Sequence, residues 1–189
     1  MAIKRYKADA DNTISNAYKE NLSTRATGSN MGQADVSEVF SIYGRESETS
    51  SELSRVLTKF DIDAIDADRT AGVIPAEGSV SFYLRLFNAE TSKTVPKNFT
   101  MVAQAISKSW DEGDGLDLEN YKDLGKSNWL SASSTTAWDT AGGDYHASPT
   151  FSQSFATGLE DLEIDITSLV EEWIDGTKDN YGIGVRTRS

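Results

Sequence analysis

The chain has 189 residues, 38% of them apolar, and its 30 acids against 18 bases give a net charge of −12. That length buries a full core in one domain, and so negative a surface repels phosphate, which argues against direct nucleic-acid binding. There is no cysteine, hence no disulfide framework or thiol nucleophile, and no apolar run is long enough to span a bilayer.

In chain order, the opening "MAIKRYKADADN" has bases but no apolar stretch behind them. It does not read as a secretory signal, and the expectation is a protein made and assembled in a cytoplasm. A first short strand is expected around Ile3–Tyr6, followed by a polar loop over 15–35 punctuated by glycine and asparagine. Lys4, Arg5, Lys7, Lys19 and Arg25 make this the one basic stretch. Residues 1–35 therefore read either as an arm that orders against an acidic neighbour or as an edge strand whose lysines face water. Val36–Tyr43 is a second strand candidate, and "RESETSSE" (45–52) reads as a charged hairpin tip.

Strand signals then strengthen. "SRVLTKFDI" sets Val56, Thr58, Phe60 and Ile62 on one face and Arg55, Lys59 and Asp61 on the other. "DAIDADRTAGVIPAEG" is expected to be a long connection with one helical turn. "VSFYLRLF" sets Val80, Phe82, Leu84 and Leu86 against Tyr83, Arg85 and Phe87, and "TMVAQAIS" (100–107) is a further strand. Residues 108–150 read mostly as loop, long enough to imply elaborated surface structure.

Strands return at Phe151–Ala156 and Leu162–Ile166. The period then changes: Ile166, Leu169, Val170, Trp173 and Ile174 fall at helical spacing, with Glu171 and Glu172 outward. Ser168 to Glu171 reads as a capping box and Gly176 as the C′ glycine that stops the helix. Tyr181, Ile183 and Val185 alternate as a last strand. The expectation is an all-β, antiparallel jelly-roll or Greek-key β-sandwich, with one short C-terminal helix plugging it before the last strand. A single domain over 1–189 is expected, with long loops at 15–35, 45–53 and 108–150.

The chemistry-bearing residues do not assemble into a catalytic set. His146 is the lone histidine, with no second imidazole or thiol to share a transition metal and no nucleophile-elbow motif beside it. Asp111/Glu112 and Glu171/Glu172 are adjacent in sequence, which turns paired acids to different faces rather than across a cleft. Asp111, Asp114, Asp117 and Glu119 offer oxygen ligands suited to calcium, but their spacing is not an EF-hand loop and an acidic, solvated loop is the plainer reading. Trp173 belongs to the core. Trp129 and Trp138 either stack on sugar rings or fold back to cover a sandwich end. No catalytic residue, metal site or cofactor is expected.

The order of these pieces resembles the DNRLRE-type domain, a jelly-roll sandwich related in shape to carbohydrate-binding modules. "ADADNTI" (8–14) stands where that family has an A-D-x-T-I-like strand, followed by Asn30-Met31-Gly32 for its N-x-G loop and "VFSIYG" (39–44) for a short strand. "RVLTKFD" (55–61), "IPAEGSVSFYLRLF" (74–87) and "WDEGDG" (110–115) follow in order. Asp165, Thr167, Val170 and Trp173, then "NYG" (180–182), match the closing element. Stretches such as "SNMGQADVSEVFSIYG" and "WDEGDGLDLENYKDLG" are also similar to virion structural proteins of marine tailed phages. The resemblance implies a non-enzymatic virion component, in capsid decoration, neck, tail or fibre. Its partners would be other virion proteins and copies of itself, with no nucleic acid or membrane. The alternative it implies is a carbohydrate-binding module for host surface glycans.

Overall fold

The computed structural model describes residues 3–43, 51–116 and 120–188. The strands are β1 (Ala8–Ser15), β2 (Ser41–Tyr43), β3 (Ser51–Phe60), β4 (Tyr83–Leu86), β5 (Phe99–Ile106), β6 (Tyr145–Phe155), β7 (Leu162–Asp165) and β8 (Ile183–Thr187). The helices are α1 (Ile62–Thr70) and α2 (Thr167–Ile174).

Pairing is antiparallel throughout. The larger sheet runs β1-β3-β8-β5-β6, with β2 added to the start of β3, and the smaller sheet is β4-β7. Strands β3 with β8, β4 with β7, and β5 with β6 are nested pairs. Such nesting is one long hairpin rolled up across two layers, the topology of a jelly roll. The fold is thus the expected all-β sandwich with a helix before its last strand.

The main core lies between the sheets. Val56 from β3, Ala103 and Ala105 from β5, Phe155 from β6, and Ile183 and Val185 from β8 meet Leu84, Leu162 and Ile164 of the small sheet, with Leu169, Val170 and Trp173 of α2 closing one side. Tyr83, Arg85 and Phe87 face outward, as the alternation in "VSFYLRLF" requires. A bidentate pair, Arg69 to Glu171 at 2.5 and 2.8 Å, ties α1 to α2. Glu171, expected to face water, is instead half-buried by that partner.

Several sequence expectations change. The first strand is Ala8–Ser15, not Ile3–Tyr6, because Lys4 and Tyr6 both reach Asp68 on α1 and hold that stretch against the helix. The connection after β3 contains a nine-residue helix, capped by Asp61 accepting from the Ala64 amide at 3.2 Å. Ser168 does not cap α2; the helix begins one residue earlier, at Thr167, whose Oγ1 accepts from the Phe82 amide at 2.8 Å. Gly176 follows the helix at φ +76°, as expected of a C′ glycine. Most of "RESETSSE" lies outside the described residues, and its last two residues open β3.

The second face of the large sheet is also covered. Ile14, Leu57 and Ile106 point to it, opposite the main core, and are buried by Trp129, Ala132 and Trp138 from the 108–144 segment. That segment, read from the sequence as surface elaboration, forms a second core layer. Its anchor is Asn30, 1% exposed, whose Oδ1 accepts from the Gly115 amide at 2.7 Å while Nδ2 donates to the Gly125 carbonyl at 3.0 Å. A β-carbon on Gly115 would lie 1.9 Å from the Asn30 carbonyl oxygen, so only glycine allows this approach. Residues 16–35 are consequently pinned rather than a loose arm, and Arg25 donates to the Asn16 and Ser51 carbonyls within the chain.

Candidate functional site

The cover stops short at Gly142 and Gly143, leaving a groove of about 400 Å³ over the middle of the large sheet, lined by Arg55, Gln104, Ser107, Thr140, Tyr145 and Arg186 among others. Its floor follows from strand register. Val56 pairs with Val185 across β3 and β8, and one further step along this antiparallel ladder sets Arg55 opposite Arg186. Both therefore rise from adjacent strands on the face opposite the main core. Like charges placed directly across a ladder destabilise it unless something lies between them.

Aromatic rings meet both guanidiniums. The Arg55 guanidinium lies 4.9 Å from the Trp129 ring and 5.6 Å from the Tyr145 ring, and Arg186 lies 5.2 Å from the same Tyr145 ring. Tyr145 rests on Gly184, where a β-carbon would come within 2.3 Å of its ring. Glycine in β8 thus makes room for the aromatic that both arginines approach. The Tyr145 hydroxyl donates to the Gly142 carbonyl at 2.9 Å, and Arg55 donates to the same carbonyl at 2.6 Å. Burial pushes the Tyr145 phenol up, against the pull of Arg55 and Arg186.

Arg186 donates through Nη2 to Oε1 of Gln104, whose amide in turn donates to the His146 carbonyl at 3.2 Å and to Thr150 Oγ1 at 2.9 Å. Its other terminal nitrogen, Nη1, is buried without a hydrogen-bond partner. Burial first, and then the charge of Arg55, pull Arg186 below the usual arginine range. Among the described residues no carboxylate pairs with Arg55 or Arg186. The two acids at the rim are engaged elsewhere: Asp139 and Asp144 meet Lys108 at 2.7 and 3.0 Å, and Asp144 also accepts from the amides of Asp139 and Thr140.

The residues singled out from sequence fall in several places. His146 is half-buried on β6 beside the groove, with its imidazole held below the usual histidine range by burial and then by Lys178. Trp129 and Trp138, each 6% exposed, fold back over the sheet, so their indole faces are not free as sugar platforms. Trp110 donates from Nε1 to the Tyr181 carbonyl at 2.7 Å, joining "WDEGDG" to "NYG". Asp117 and Glu119 lie outside the described residues, and among the described residues no cluster of three or more potential ligands could hold a metal ion.

Arg55, Gln104, Tyr145 and Arg186 were not singled out from sequence. Arg55 was placed on the polar face of its strand, which a two-layer sandwich would leave in water. The overlooked signal is Leu57, which follows Val56 directly and makes β3 apolar on both faces, as in strands covered on both sides. Compared with known proteins, the chain matches no family model, no curated protein and no solved structure.

Proposed function

We propose that the protein is a non-enzymatic structural component of a phage virion, a DNRLRE-like jelly roll that holds neighbouring subunits through its surface. The observation that carries this reading is the outer face and free edge of the small sheet. Phe82 turns both its amide and its carbonyl toward Thr167 and Ile166. By alternation Leu84 and Leu86 also face β7, so Tyr83, Arg85 and Phe87 direct their backbone groups away from it. No described strand takes up that edge of β4. The same three residues project outward, with Tyr83 56% and Phe87 70% exposed. A strand edge bearing large apolar side chains is a template for pairing with another chain, and repetition by symmetry turns one such contact into an assembly.

The similarity of "SNMGQADVSEVFSIYG" and "WDEGDGLDLENYKDLG" to virion structural proteins of marine tailed phages supports the virion setting, and the sandwich supplies a rigid body for the contact. The test is Phe87→Glu, which places a charge in the proposed contact and leaves both cores intact. The expected result is an unchanged thermal midpoint of the free protein together with a sharp drop in its copy number per purified particle. Normal incorporation of the variant would overturn this use of the β4 edge.

A further inference from the structure

We infer that the groove between Arg55 and Arg186 is a binding site for a carboxylate-bearing sugar, of the hexuronate class. The site is independent of the assembly role, since it lies on the large sheet and the proposed subunit contact lies on the small one. Four observations converge on a bound anion. Two guanidiniums stand on facing strand positions with no carboxylate to neutralise either. Arg186 is a partly buried charge whose Nη1 has no hydrogen-bond partner, a burial cost that an anion close to the guanidinium would offset. Gln104 fixes the other terminal nitrogen, and the Gly142 carbonyl fixes Arg55, so the donors are pre-positioned rather than free to swing. Finally, the two aspartates that share the lining, Asp139 and Asp144, are both engaged by Lys108 and pair with neither arginine.

The class of anion follows from shape and lining. Planar guanidiniums match carboxylate geometry. A space of about 400 Å³ is within the range of small-molecule sites and far exceeds what a lone carboxylate fills. Beyond the arginines the lining offers the hydroxyls of Ser107 and Thr140, which are suited to ring hydroxyls. A neutral sugar would leave the arginines unneutralised. A small inorganic anion would leave the hydroxyl-lined part of the groove empty.

Calorimetric titration of the full chain with sodium glucuronate, with glucose and with inorganic phosphate at constant ionic strength tests the assignment. Tryptophan fluorescence gives a second readout through the Trp129–Arg55 stack. Glucuronate is expected to bind, with glucose undetectable and phosphate weaker. Arg186→Gln should weaken glucuronate by about thirtyfold, as for a truncated buried charge contact. Thr140→Val, on the exposed rim, does not threaten folding and should weaken glucuronate but leave acetate binding unchanged. Absence of glucuronate binding, or equal binding by Arg186→Gln, overturns the site. Phosphate binding as tightly as glucuronate overturns the sugar-acid assignment. Any of these results leaves the assembly role standing, because that role is read from particles and this one from the free protein.

Discussion

Glu160 ties the turn between β6 and β7 through its carboxylate. One carboxylate oxygen accepts from the amides of Ala156 and Thr157 at 2.9 Å each, and the other accepts from Leu159 at 3.0 Å. These hydrogen bonds, the Thr157 amide foremost, lower its pKa from 4.5 to about 2. Because the folded value lies below the unfolded one, the stabilisation is present above about pH 4.5 and is lost as pH falls toward 2. Glu160→Gln should therefore be less stable than the parent at neutral pH, with the gap closing through that window. Chemical denaturation at a series of pH values checks this, and a gap that does not change with pH would contradict it. Nothing in "ATGLED" marks Glu160 as different from the acids around it. Asn30 is a contrasting case: N-x-G is visible as a motif, but its partners at Gly113 and Gly115 lie more than eighty positions away. Only the folded chain brings the two glycine-bearing loops together.

Among the elements, α2 was legible because its apolar spacing reflects burial. Leu169, Val170 and Trp173 are all buried against the main core. Its first turn departs from the capping box because a tertiary contact overrides that local rule. The small sheet continues one bond past its strands, the Ile166 amide donating to the Phe82 carbonyl at 2.9 Å, and this draws Ile166 and Thr167 into the helix start. Helix α1 was underestimated for the opposite reason. It buries only Ile65, so it has little apolar pattern, and its place is set by its Asp61 cap and the Arg69–Glu171 tie. Trp173 is the largest side chain α2 contributes to the core. Trp173→Ala should cost about 3–5 kcal/mol by opening a cavity, read as a lowered denaturation midpoint with an unchanged denaturant slope. A midpoint within error of the parent would show that α2 does not close the sandwich.

For the molecule as a whole, the strand alternation sufficed for the jelly roll and for the outward face of β4, since both follow from period-two burial. It did not disclose the second core layer. The 108–144 segment lacks regular periodicity, and it docks through side-chain amides and glycine contacts that leave no repeat in the sequence. The groove was hidden with it, because its floor is strand and its wall is that irregular cover. The same cover occupies Trp129 and Trp138, which moves any sugar contact from stacked indoles to the arginine pair. The large sheet is covered on both faces except at the arginine groove, and the small sheet keeps an edge and an outer face for neighbours. Imaging purified phage particles at a resolution that resolves strands tests this most directly. The sandwich is expected in symmetry-related copies, with the β4 edge and Phe87 against a neighbouring subunit. Purified particles that lack the protein, while it remains abundant in the surrounding lysate, would contradict it.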